Sequence, residues 1–312
     1  MRYILFSLCT FFLFSFSPGA KISNLRNGFA EVNGTKLYYE MLGEGDPIVF
    51  IHGNFGDHRH WDFQFAPLSK KYKVIRYDVR GFGRSATPKS DEQYSNRKDL
   101  KALLEFLDIE KTHICGLSMG SGIAVDFALD YPEMCLSLIP IGAWAGGFGS
   151  GNFKSSNADS LFAVFPIVNE ILKNHGPKEA TDYLWKGNNC LSRSVRNPST
   201  LDALLMMGYE YSYWSHLISS KIESLEPPAI SRLNEIKLST LIVTAEYDLE
   251  SCKEIAEIME KEITGSVMIS IKDAGHIMNM DKPDEFNKLI SEFIEKVKQD
   301  NVKSKIKTSY DE

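Results

Sequence analysis

The sequence predicts an α/β fold: a mostly parallel central sheet with helices on both faces and an inserted helical lid. Three observations carry this. Apolar runs of strand length alternate with segments of helical period. The runs are nearly continuous in apolar residues rather than alternating, as strands buried on both faces are. The alternation is interrupted once, between residues 145 and 234.

In chain order, "TKLYYEML" (35–42), "PIVFIHG" (47–53), "KVIRYDVRG" (73–81) and "THICG" (112–116) read as strands bounded by Gly, Asp and Pro. Between the last two, "NRKDLKALLEFLDI" sets Leu100, Leu103, Leu104 and Leu107 at helical spacing. A helix, "GIAVDFALDYP", follows Ser118 and ends near Pro132, and "CLSLIPIGA" is the next strand. The interruption opens with the flexible "AGGFGSGN" and holds three helix-like stretches with no strand among them. Alternation then resumes with "STLIVTAEYD" (strand), "SCKEIAEIMEKEI" (helix), "VMISIKDAGH" (strand) and "PDEFNKLISEFIEKVKQ" (helix). The expected division is a first core part over 21–144, a lid over 145–234, a second core part over 235–300, and a polar tail over 301–312 that frays.

With 312 residues, 43% of them hydrophobic, the chain is long enough for a large core. A net charge of −6 and the lack of any basic groove for phosphates exclude a nucleic-acid partner and leave a small molecule. No metal-ligand cluster and no cofactor motif stands out; His58 and His60 in "DHRHW" read as a solvated loop. Residues 1–20 have one early cation, an apolar stretch too short to span a bilayer, and small residues before Lys21. That is the layout of a secretory signal peptide, which predicts an exported protein with no stable span after cleavage. A lipidated Cys9 is disfavoured by the bulky Leu8 before it. Cys115, inside an apolar strand, reads as a buried small hydrophobe, and a disulfide among the other cysteines is not legible.

The chemistry centres on "HICGLSMGS", where Gly116, Ser118 and Gly120 form a Gly-x-Ser-x-Gly frame between a strand and a helix. In that setting the serine sits on a sharp turn that presents its hydroxyl, and the glycines allow strand and helix to approach. A serine hydroxyl needs a base. His276, just past the strand "VMISI", stands at the carboxyl edge of the sheet, where parallel sheets place reactive groups. His113 lies within a strand and reads as a core residue. An imidazole base needs an orienting carboxylate; Asp248 ends the strand "TLIVTAEYD", with Glu246 its near competitor. Two N–H donors are expected for the oxyanion, Met119 after the nucleophile and Asn54 in "HGNFG", with Phe55 as the fallback.

Together, "HGNFGDHRHW", "YDVRGFGRS", "GLSMG", "LIVTAEYD" and "DAGHIMNMDKPDEF" resemble the α/β-hydrolase superfamily, in a serine-nucleophile branch that includes esterases, lactonases and haloperoxidase-like enzymes. The order Ser118, Asp248, His276 is the order of that fold. The resemblance implies a structural turn at "DVRGFGRS", a lid that sets specificity, and a serine in place of the aspartate of halide- and epoxide-cleaving relatives. Phe55 and Trp144 are expected in an apolar pocket, joined by some of the lid aromatics such as Phe153, Phe165, Trp185 and Trp214. The expected activity is cleavage of a small, largely apolar carboxylic ester or lactone without a cofactor. Alternatives on the same scaffold are a ligand-binding or signalling protein, and a lyase, perhydrolase or carbon–carbon bond hydrolase.

Overall fold

A computed structural model describes residues 24–148, 161–218 and 221–308. The expected signal peptide over 1–20 and the lid residue Phe153 lie outside the described residues.

The strands are β1 (Arg26–Val32), β2 (Thr35–Leu42), β3 (Pro47–Ile51), β4 (Lys73–Tyr77), β5 (Gln93–Tyr94), β6 (Thr112–Leu117), β7 (Cys135–Ile141), β8 (Lys221–Ile222), β9 (Leu241–Tyr247) and β10 (Val267–Gly275). Eight form one sheet in the order β1-β2-β4-β3-β6-β7-β9-β10. β1 and β2 are antiparallel to their neighbours; from β4 to β10 the pairing is parallel. β6, at the centre, is buried along its whole length, its polar Thr112 and His113 paired with His113 O at 3.1 Å and Ser137 Oγ at 2.7 Å.

Helices α1 (Asp62–Leu68), α2 (Asn96–Phe106), α3 (Met119–Asp130), α9 (Glu250–Glu262), α10 (Met278–Asp281) and α11 (Pro283–Thr308) belong to the core. The interruption supplies α4 (Leu161–His175), α5 (Pro177–Lys186), α6 (Cys190–Ser194), α7 (Pro198–Glu210) and α8 (Trp214–Leu217). Aromatic contacts fasten this insertion to two core loops. Phe82 stacks on Tyr211 with ring centroids 5.1 Å apart, and Phe55 packs against Tyr213 and His216. Trp214 lies against Gly81, whose φ of +87° and lack of a Cβ leave room for the indole.

Four features depart from the sequence reading. β1 was not anticipated: it pairs antiparallel with β2 and buries only Ala30, so it has no apolar run to announce it. The insertion does contain a strand, the two-residue β8, which pairs with β5. The stretch from Asn301, expected to fray, continues α11 as far as Thr308. His58 and His60 are buried rather than solvated, on a short 3₁₀ turn capped by Asp57, which accepts from Arg59 N at 2.9 Å.

The same turn explains "DVRGFGRS". Asp78 accepts from His58 N (2.8 Å) and Arg84 N (2.8 Å) and lies 2.7 Å from His58 Nδ1. Arg80 forks onto both oxygens of Asp99 at 2.7 Å. These charges are spent on holding loops. Among the described residues, Cys115, Cys135, Cys190 and Cys252 form no disulfide with one another. Among the described residues no helix is long and apolar enough to cross a membrane.

His60 makes an acid-sensitivity prediction. It is fully buried, neither ring nitrogen has a hydrogen-bond partner, and burial holds its pKa down to about 3. Between pH 6.5, near the unfolded value, and that folded value, the unfolded chain binds a proton the folded one refuses. Stability from the neutral ring is therefore complete above pH 6.5 and is lost as pH falls through this window. His60→Gln should flatten the dependence of unfolding free energy on pH there by up to about 1.4 kcal/mol per pH unit. Denaturant titrations at several pH values measure that slope independently of the variant's own offset.

Candidate active site

β6 delivers Ser118 and α3 carries the chain away from it. Ser118 has φ 54° and ψ −111°, a sparsely populated conformation for a residue with a Cβ, costing of order 1–3 kcal/mol. The surroundings enforce it. Ser118 N–H donates to Ile141 O on β7 at 2.8 Å, and Ser118 O accepts from Ser121 N at 2.9 Å. A Cβ at Gly116 would fall on Gly120 O, and one at Gly120 would fall on Ile51 O. Both glycines are thus required by close approach. The first N–H groups of α3, Met119 among them, lack intrahelical partners and stand at the positive end of the helix dipole.

His276 follows β10 and Asp248 follows β9; both are buried. His276 Nδ1 lies 2.7 Å from Asp248 Oδ1. The same oxygen accepts from Leu249 N at 2.7 Å, and Oδ2 accepts from Thr244 Oγ1 at 3.1 Å. A carboxylate so held accepts from Nδ1–H and leaves Nε2 as the basic nitrogen. Gly142, with φ +53°, makes room beside the ring, since a Cβ there would stand 2.8 Å from His276 Cε1. Glu246, the competing carboxylate, is exposed on β9 and accepts from Asp273 N at 3.1 Å, away from His276.

Opposite Ser118 runs the loop after β3. Phe55 N–H donates to Asn54 Oδ1 at 2.9 Å, so that N–H is engaged and Asn54 N–H is the better oxyanion candidate of the two. The loop is fixed from behind by His52, a residue the sequence reading passed over. Val79 N–H donates to His52 Nε2 at 3.0 Å, which makes Nδ1 the protonated nitrogen, 2.8 Å from Gly53 O. Burial lowers the His52 pKa and keeps the ring neutral, as this two-way bond demands. Its place directly before Gly53 and Asn54, at the end of an apolar strand, was the available signal.

One cavity of about 310 Å³ gathers these groups. Ser118, His276, Asn54, Met119, Phe55 and Trp144 all line it, with Asp248 behind His276. The insertion covers it with Leu161, Phe165, Trp185 and Leu191, giving a largely apolar wall. Other lid aromatics, Tyr211, Tyr213 and Trp214, are buried in packing against the core and do not line the cavity.

Among the described residues, two buried side-chain groups have the proximity of metal ligands, and neither fits one. In Asp248, Cys252 and His276 the carboxylate is occupied by three donors, and burial pushes the Cys252 thiol far up, away from the thiolate a metal needs. In Asp57, His58 and Asp78 the carboxylates are taken up by Arg59, by His58 itself and by Arg84 N.

A family model described as alpha/beta hydrolase fold matches residues 46–283. The chain is 26% identical over 273 residues to the 2-hydroxy-6-oxo-6-phenylhexa-2,4-dienoate hydrolase of Comamonas testosteroni, spanning 83% of this chain and 91% of the relative. Among solved structures it is similar to an esterase from Exiguobacterium antarcticum (TM-score 0.71, 22% identity, 86% of this chain and all of the other). It is also similar to an enol-lactonase from Burkholderia xenovorans (TM-score 0.67, 24% identity, 86% and 99%). At these identities the likeness of the two structures is one of fold.

Proposed function

Because the chain belongs to the alpha/beta hydrolase fold family, we propose that it is a serine hydrolase of small, largely apolar carboxylic esters or lactones. The observation that carries this is the strained Ser118 on the wall of a largely apolar cavity shared with His276, whose Nδ1 lies 2.7 Å from Asp248 Oδ1. Ser118 Oγ attacks the carbonyl carbon as His276 Nε2 takes its proton. The oxyanion that forms is held by the N–H groups of Asn54 and Met119. Collapse expels the alcohol, protonated by His276, and a water then releases the acid by the same steps in reverse roles. No step calls for a cofactor. The apolar lining favours an uncharged substrate.

A carbon–carbon bond hydrolase is the second reading, favoured by the activity named for the Comamonas relative. The leader-like layout of residues 1–20 supports an exported enzyme.

The test is covalent labelling of the purified protein with a fluorophosphonate, with the adduct located by peptide mass spectrometry. The expected adduct is on Ser118 in the wild type and absent in His276→Ala. Well-folded protein that takes no label would remove the serine mechanism and favour a ligand-binding protein. Turnover of a vinylogous 1,5-diketone but of no ester would favour carbon–carbon cleavage.

A further inference from the structure

The backbone of Gly275 does not itself require glycine, because its φ lies outside the left-handed region. What excludes a side chain is the insertion. The three atoms nearest to a Cβ at Gly275 all belong to Ser194, and that Cβ would fall on Ser194 O. Ser194 closes α6, and both it and Gly275 are buried. A backbone carbonyl of the insertion is therefore seated against the residue directly before His276.

The neighbouring strand end is covered by the same segment. Gly275 on β10 pairs in register with Tyr247 on β9, so the residues directly preceding His276 and Asp248 lie side by side. Arg196, two residues after Ser194, places its guanidinium 4.1 Å from the centre of the Tyr247 ring. From the core side, Gly275 N–H donates to Asp281 Oδ2 at 2.9 Å.

The α6 turn is stiff despite its five residues. Asn189 Oδ1 accepts from Ser192 N, and Ser192 Oγ accepts from Asn189 N, both at 3.1 Å. Asn189 Nδ2 donates to Tyr183 O in the last turn of α5 at 2.6 Å. Ser194 Oγ donates to Leu191 O at 2.7 Å, and Leu191 lines the cavity. One stiff piece thus forms part of the cavity wall and rests on the two strand ends that carry the base and its carboxylate.

We propose that Gly275 and Arg196 are positioning residues through which α6 holds the His276–Asp248 pair, so that the base is aligned only while the insertion is seated. The inference rests on the serine-hydrolase reading for the role of that pair. Neither residue is on the cavity wall, so both act on rate rather than on substrate affinity. A misplacement of about 1 Å at a catalytic group costs on the order of 10²-fold in rate.

Gly275→Ala is the direct test, because its Cβ must push Ser194 away while the backbone stays allowed. With p-nitrophenyl butyrate, kcat should fall on the order of 10²-fold and KM should stay within about twofold. The proton NMR resonance of His276 Nδ1–H, which lies far downfield in a bond to a carboxylate, should shift or broaden in the same variant. Arg196 is exposed, and Arg196→Ala should lower kcat by a smaller factor. Arg196→Lys, which keeps a cation over the ring, should restore most of it. The double variant should lose less than the product of the two single losses, since both act through one seating.

Wild-type kcat, a rise in KM alone, or an unmoved resonance in folded Gly275→Ala overturns the proposal, and so do fully multiplicative losses in the double variant. Where Gly275→Ala does not fold, Arg196→Ala decides, and wild-type kcat with an unmoved resonance overturns it. Wild-type protein that neither turns over esters nor takes the fluorophosphonate removes the serine mechanism instead. The resonance in the two variants then still decides the seating, so the two failures are distinguishable.

Discussion

Ser118→Ala is expected to abolish ester turnover, with a loss in kcat on the order of 10⁶-fold by analogy with other serine triads, while thermal unfolding stays within about 0.5 kcal/mol of wild type. The two halves of this expectation have separate causes. Removing Oγ deletes the atom that bonds to the carbonyl carbon. The substitution keeps the Cβ, so the backbone at φ 54° carries the same strain and the same bonds to Ile141 and Ser121 hold it. Esterase assays with matched melting curves check both halves. Undiminished activity in well-purified variant would show that another group performs the chemistry.

Asp248→Asn should lower turnover by up to ~10⁴-fold. Leu249 N–H and His276 Nδ1 share Oδ1, whereas Oδ2 meets only the rotatable hydroxyl of Thr244. A neutral amide in this pocket stabilises the imidazolium less than the carboxylate does. In the orientation that turns its NH₂ toward His276 it also opposes the required tautomer. The companion variant Glu246→Gln removes an exposed carboxylate whose bond goes to Asp273 N, and it should leave turnover unchanged. The pair of variants is read from kcat on one chromogenic ester; an inverted result would move the orienting role to Glu246.

The central strands were legible because burial on both faces leaves nothing to alternate: β3 and β7 are almost solid apolar runs, and β6 is buried throughout, Thr112 and His113 included. Strand ends then located Ser118, Asp248 and His276 at one edge, since a parallel sheet brings its carboxyl ends together. β1 escaped because an edge strand with one wet face needs little apolar sequence; the legible signal was Asn33-Gly34, the two-residue turn of positive φ that pairs Val32 with Thr35. His58 and His60 escaped for a related reason. "DHRHW" is polar as text, and its burial depends on Asp78, twenty residues on, accepting from His58. His52 was overlooked because its work is to tie the loop at Gly53 to Val79, and that second partner, 27 residues on, is not visible in a linear motif.

The placement of Ser118 directly after β6, and of Asp248 and His276 directly after β9 and β10, with the whole insertion between them in sequence, also bears on how the proposed site would come together. Synthesis proceeds from the N-terminus, so Ser118 and the oxyanion loop emerge while Asp248 and His276 are not yet made. The nascent serine is then an ordinary alcohol, unable to acylate itself on passing metabolites. The proposed site is complete only when β9 pairs with β7 across the whole insertion and β10 pairs with β9, and pairings of high sequence separation such as the first are slow to form. For the proposed serine hydrolase, the first turnover of a refolding sample would therefore mark the pairing of β9 and β10 at the sheet's far edge.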